Sequence, residues 1–267
     1  MGIFQAVKQG FCKSFKLGGV IGIFLFFNLI IGLLSLPLTD PANAGNPVML
    51  WASVGMSLIF FVIFVFLQGG AMGIVKDEMK TGVINLGKFL SYGAKYYLRI
   101  LGLLLLYILI AIGVVLILAL ISAGVLLLGD NVFTRSIVAV IVTITAVVSI
   151  TLLIYPIYTI VVDDMGPIAA FRRGILVAWR NFARTLGVFM LMLLISVGIS
   201  LLIGFIAGLA TVPMGEMGGR IVLAVVNAVV QSYIPLVMMI SLMSFYMSLT
   251  SSLDEQKPCE CCSEPKE

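Results

Sequence analysis

The segment VVDDMGPIAAFRRGILVAWRNFARTLG, Val161 to Gly187, sets Asp163 and Asp164 ahead of Arg172, Arg173, Arg180 and Arg184. Paired carboxylates with nearby arginines are the groups that hold Mg²⁺ beside a phosphate: the metal takes oxygen ligands, and guanidinium forks onto phosphate oxygens. A second reactive cluster lies near the C-terminus. There Cys259, Cys261 and Cys262, with Cys12 as a fourth, offer thiols to a soft metal. Neither cluster completes a catalytic or metal centre. The chain has no histidine, so no imidazole serves proton transfer or zinc, and no P-loop, G-x-S-x-G or G-x-G-x-x-G occurs. Metal-dependent lipid phosphotransfer needs more carboxylates on facing helices than are present. The cysteine spacing departs from C-x₂-C, and a reducing compartment disfavours structural disulfides. The sequence therefore predicts a non-enzyme with no bound metal or cofactor.

The elements that position these residues follow from hydropathy. Of 267 residues, 61% are hydrophobic and 10% charged, and the mean hydropathy is +1.21. That composition is far from the soluble globular range. Six apolar runs, about 17–38, 48–75, 100–128, 134–162, 186–212 and 219–250, reach the length needed to cross a hydrocarbon core. The expected class is an all-α polytopic membrane protein of six transmembrane helices, residues 1–252, followed by a disordered cytoplasmic tail, 253–267. Of the 16 lysines and arginines, only Arg135 and Arg220 fall on the side opposite the N-terminus. The positive-inside rule then places both termini in the cytoplasm, in a prokaryotic inner membrane. Lys8, Lys13 and Lys16, an apolar run and Ala42-Asn43-Ala44 also imitate a cleavable signal peptide. The run exceeds a typical h-region, which favours a retained first helix.

In this frame the charged segment leaves the fourth span on the cytoplasmic side. Gly166-Pro167 suits a helix start, and Asp163 and Asp164 sit where the helix dipole favours negative charge. Arg173, Arg180 and Arg184 fall near one line of that helix, opposite Ile168, Phe171, Ile175, Ala178, Trp179 and Phe182. Such a helix lies in the interface with its arginines toward phosphates. The pattern recurs. Asp77-Glu78-Met79 precedes VINLGKFLSYGAKYYLRILG, in which Lys88, Lys95 and Arg99 repeat the spacing of Arg173, Arg180 and Arg184 at an offset of 85. A fainter copy opens the chain, where Lys16 and Gly19 match Arg99 and Gly102, while Gln5 and Cys12 replace the other two cations. The sequence thus predicts three hairpin repeats, about 1–76, 77–162 and 163–250, each preceded by a cytoplasmic interfacial amphipathic helix.

The spans carry no ionisable side chain near their centres, which speaks against a proton pump or ion channel. Their polar groups include Gln68, Tyr155, Asn227 and Gln231, which are candidates to line a cavity or to join helices by hydrogen bonds. Pro156 and Pro235 mark kinks. Gly18/Gly22, Gly69/Gly73 and Gly204/Gly208 form G-x-x-x-G pairs that let helices approach closely.

An acidic pair leaving one span, a Gly/Pro start and A-x-R-R-G…W-R-N-F…L-G entering the next resemble a broad group of prokaryotic six-span membrane families. That group includes uncharacterised families and the membrane domain found fused to glycerophosphodiester phosphodiesterases. The resemblance implies six spans and a lipid or envelope setting. Two functional expectations follow. One is a module that binds or moves a lipid-like or small amphipathic ligand. The other is a scaffold that grips anionic headgroups through Lys88, Lys95, Arg99, Arg173, Arg180 and Arg184 and docks a partner protein. Membrane lipids are the expected partners, and nucleic acid is not.

Overall fold

A computed structural model gives the fold and describes residues 2–36, 46–127, 129, 131–211 and 215–254. Those residues form helices and connecting turns, with no strand among them. Helix α1 (Ile3–Ser14) passes through a 3-10 turn, Phe15–Leu17, into α2 (Gly18–Ser35). Helix α3 (Pro47–Thr81) starts on Pro47 behind Asn46, whose side chain accepts from the Val48 amide, and ends on Gly82 in the left-handed region. A 3-10 turn at Leu86–Lys88 leads into α4 (Phe89–Leu126). Then follow α5 (Val132–Leu153), α6 (Pro156–Val162), α7 (Pro167–Arg180), α8 (Phe182–Thr211) and α9 (Glu216–Asp254).

Six helical segments are long and apolar enough to cross a membrane: Ile3–Ser35, Pro47–Thr81, Leu86–Val125, Val132–Val162, Phe182–Thr211 and Gly218–Ser251. The chain is a multi-pass membrane protein. Helix α7 begins at Pro167 behind Gly166, where the sequence places it. Pro156 has no amide hydrogen to donate, and the fourth span breaks at Ile154–Tyr155 in front of it. The Tyr107 hydroxyl donates to the Leu153 carbonyl at 2.8 Å, satisfying an acceptor at that break.

Two differences from the sequence reading have physical causes. The segment expected to form a second separate interfacial helix is one helix with its span, since α4 runs unbroken from Phe89 to Leu126. At the corresponding point of the third segment stands Asn181, between α7 and α8. Its side-chain amide donates to the Val177 carbonyl at 3.3 Å and competes with helix propagation. Its counterpart in α4, 85 residues earlier, is Tyr96, a buried aromatic that continues the helix. Helix α9 also continues through Asp254, covering the first two residues of the expected tail. The rest of that tail, with Cys259, Cys261 and Cys262, lies outside the described residues, as does Ala42-Asn43-Ala44.

The chain folds as two compact units, Met1–Lys95 with Gly187–Glu267, and Tyr96–Leu186. In the first, α1 and α2 both pack on α9, and α3 meets α2 and α9. Burial follows one end of these helices. Val20 and Phe24 of α2, Val65 to Val75 of α3, and Leu236 to Tyr246 of α9 supply the core, whereas Leu33, Leu34, Trp51, Leu58, Leu223 and Val229 are exposed. In the second unit α7 packs on α5 and α6. Tyr96, Ile100 and Leu103 of α4 are buried, and Leu105 to Leu120 present exposed leucines and isoleucines. Apolar surface of this extent is stable in hydrocarbon, not water.

Candidate functional site

The two acidic pairs are built into helix junctions. Near the end of α3, the Lys13 ammonium of α1 donates to Glu78 Oε2 at 3.0 Å, and the Tyr92 hydroxyl of α4 donates to Asp77 Oδ2 at 2.5 Å. One acidic pair thus ties α1 to α4. After α6, Arg99 of α4 donates through Nη1 to both the carbonyl and the Oδ1 of Asp164, at 3.0 and 2.5 Å. Arg173 Nε of α7 lies 3.3 Å from Asp163 Oδ2. This second pair ties α4 to α7 in the same way. Asp164 adopts φ 56°, a left-handed conformation that aspartate tolerates and that the double contact from Arg99 holds.

The carboxylates precede α7 without capping it. The N-cap is Gly166, with no side-chain cap and no acid in the first turn. Nor do they stand free for Mg²⁺, because both are spent on arginines. Each of the two longer ion pairs spans the same chain distance: Lys13 to Glu78 and Arg99 to Asp164 are both 65 residues apart. Three glycines have matching neighbours. A β-carbon at Gly19 would meet the Leu86 side chain, one at Gly102 would stand 3.3 Å from Pro167 Cγ, and one at Gly187 would stand 2.9 Å from Ile3 Cδ1. Each glycine opens a span and receives the first residues of another interhelical segment.

Of the six cations expected to meet lipid, Arg99 and Arg173 have carboxylate partners. Lys88 and Lys95 are exposed in the first unit, and Arg180 and Arg184 are exposed in the second. Lys88, Arg180 and Arg184 make no ion pair with another described residue. The apolar side of α7 divides as well. Ala170, Gly174, Val177 and Ala178 are buried, while Ile168 and Trp179 face outward.

The polar residues of the spans separate into two places. Asn227 and Gln231, one turn apart on α9, line a cavity of about 450 Å³ against α2. Asn28, Ser35 and Arg220 supply its other polar groups, and Ile31, Leu36 and Leu223 are among its apolar ones. The Asn28 amide donates to Ser232 Oγ at 3.1 Å, which ties α2 to α9 beside the cavity. Gln68 and Tyr155 are not among the lining residues. Gln68 Oε1 is buried without a hydrogen-bond partner among the described residues, and Tyr155 is fully buried in the second unit. Sequence reasoning counts Asn28 among the polar groups of the spans without placing it at the cavity, and it misses Ser35 and Arg220 there. Their signal was a lone amide in α2 and a lone cation opening α9, which only the packing of α2 on α9 brings together.

The family model described as Domain of unknown function (DUF7847) matches residues 1–249. No curated protein and no solved structure matches the chain.

Proposed function

The chain belongs to the DUF7847 family, and from that premise we propose that it is a non-enzymatic membrane module that binds an amphipathic ligand between α2 and α9. The observation that carries this reading is the cavity, whose volume of about 450 Å³ falls within the range of small-ligand sites. Its amides from Asn227 and Gln231 bond a polar head, Arg220 attracts an anionic group, and Ile31 and Leu223 face a hydrocarbon chain. The flanking residues Leu33, Leu34 and Val229 are exposed, so a lipid-like molecule enters sideways from the bilayer without crossing a polar surface.

The same reading places three hairpins in a prokaryotic cytoplasmic membrane, each entered by an interfacial segment, with both termini inside. Support for triplication comes from the two ion pairs that span 65 residues and from the contacts of Gly19, Gly102 and Gly187. In that order the Gly19 and Gly102 contacts each come from the next repeat, and the Gly187 contact comes from the first. The cavity then opens in the outer half of the membrane, where Arg220 stands near the surface.

Two measurements test this. Replacing both Asn227 and Gln231 by leucine keeps the helix and removes the head-binding amides, so species that co-purify with the wild type are expected to fall at least tenfold by mass spectrometry. An unchanged co-purified set sinks the cavity reading. Reporter fusions after Ser251 are expected to be active only in the cytoplasm, and a fusion in the loop after Leu36 only outside; reversed activities overturn the orientation.

A further inference from the structure

We propose that the cavity between α2 and α9 selects a lipid-like molecule whose head group carries hydroxyls, a glycerol or sugar head, and that Pro235 sets this choice. The inference rests on the ligand site proposed above and names the class of head that it takes. Asn227, Gln231 and Pro235 follow one another at four-residue steps along α9, and all three are exposed, so they share one face of the helix. Asn227 and Gln231 line the cavity. Pro235 stands inside α9 and has no amide hydrogen to return to the Gln231 carbonyl one turn before it. A helical carbonyl points along the axis toward the residue four later, so this one lies between Gln231 and Pro235 on the face they share. It is an acceptor that the helix itself does not fill, beside two exposed side-chain amides. The neighbouring polar group is closed by contrast: Ser232 Oγ accepts from the Asn28 amide and donates to the Ala228 carbonyl at 2.5 Å.

The chemistry selects the occupant. Hydrocarbon supplies no hydrogen bond, so polar groups exposed to it draw a polar guest. Two side-chain amide oxygens and one backbone carbonyl accept, and the two amide nitrogens donate. A hydroxyl does both, so a diol serves both kinds of group at once. A carboxylate or an ester only accepts and leaves the carbonyls unpaired, while an ammonium only donates and leaves the amide nitrogens unpaired. Arg220 lies 11 residues before Gln231, about three turns along α9, so an anionic group there is read apart from the hydroxyls. Ile31 and Leu223 line the same cavity and suit the acyl chain.

The test uses the full chain in phosphatidylcholine nanodiscs, whose lipid has no hydroxyl donor, and follows retained probes by mass spectrometry. Monooleoylglycerol is expected to be held about tenfold more tightly than methyl oleate, which has the same chain and no donor. Pro235→Ala returns an amide hydrogen to the Gln231 carbonyl. It is expected to weaken monooleoylglycerol about fivefold, the effect of one hydrogen bond, and to leave methyl oleate unchanged. Pro235→Gly, which returns the hydrogen without stiffening the helix, is expected to do the same. Equal retention of the two probes by the wild type overturns the hydroxyl preference, and an unaltered preference in both Pro235 variants overturns the part given to Pro235. Free glycerol held as tightly as monooleoylglycerol overturns the lipid and assigns the site to a soluble polyol. The double leucine variant at Asn227 and Gln231 keeps the two readings apart. If it lowers retention of both probes while the wild type holds them equally, the cavity stands and only its choice of head group fails; if it changes neither, the cavity itself fails.

Discussion

Lys13→Met is expected to lower folding stability by about 3 kcal/mol, and by more than Glu78→Gln. Glu78 retains only 6% of its side-chain exposure, whereas Lys13 retains 27%. Removing the lysine leaves a buried carboxylate of α3 without its counter-ion. Removing the carboxylate leaves an ammonium on a flexible stem that turns to water. The double variant Lys13→Met with Glu78→Met is expected to recover much of the loss, because a buried ion pair replaced by apolar groups of similar size costs little. The Arg99–Asp164 pair, with 35% and 45% exposure, supplies the contrast: its loss is expected to cost less than about 1 kcal/mol. Unfolding in a fixed detergent, followed by circular dichroism, measures all four. If Lys13→Met proves no worse than Glu78→Gln, the junction is solvated and the pair does not hold α1 in place.

How much of this was legible depends on whether a feature is local. The six spans were, because a run such as Leu103–Ile121 states its own environment, and so was the start of α7, because Gly166-Pro167 suits a helix start wherever it folds. The break at Pro156 follows from a missing amide hydrogen. The acidic pairs show the limit. Asp77-Glu78 and Asp163-Asp164 stood out as recurring, yet one chain cannot reveal whether a carboxylate in front of a helix caps it or reaches a cation 65 residues earlier. Helix dipoles reward both. The paired cation in the first copy is Lys13, one turn before the Lys16 that spacing favoured, because a flexible lysine reaches its partner from either turn. For the cavity, Asn227 and Gln231 declared a shared face of α9, but the neighbour that completes it was decided by tertiary packing. That packing chose Asn28 on α2 and left Gln68 and Tyr155 elsewhere.

The burial pattern connects stability with the proposed site. In the first unit the Lys13–Glu78 junction lies at the buried end of α3, while the cavity lies between α2 and α9. Rigidity at one end leaves the other free to accept a guest. The Lys13–Glu78 pair holds register where the first unit is dry, and lipid solvates the leucine-rich remainder. A variant that loosens the buried end is then expected to harm ligand binding without touching the cavity.

Gly174→Val tests the packing of the second unit by itself. Gly174 of α7 lies against the first residue of α6, and a β-carbon there would stand 2.5 Å from Pro156 N, 2.6 Å from its Cα and 2.7 Å from its Cδ. The obstacle is backbone and a closed ring, so no rotamer change relieves it. Alanine is expected to cost about 1–3 kcal/mol, the usual range for overpacking, and valine more, since its branched methyls press further into the same crossing. Gly204 and Gly208 provide the control. They form a G-x-x-x-G pair that the sequence marks for close packing, but added β-carbons meet nothing within 4 Å. Alanine at either is expected to be neutral or to stabilise by up to about 1 kcal/mol through helix propensity. Thermal unfolding of Gly174→Ala, Gly174→Val, Gly204→Ala and Gly208→Ala ranks them directly. Equal midpoints for Gly174→Ala and Gly204→Ala would show that α6 and α7 give way at their crossing. Collapse of the Gly174 variants alone would show that the break at Pro156 exists to let α7 cross it.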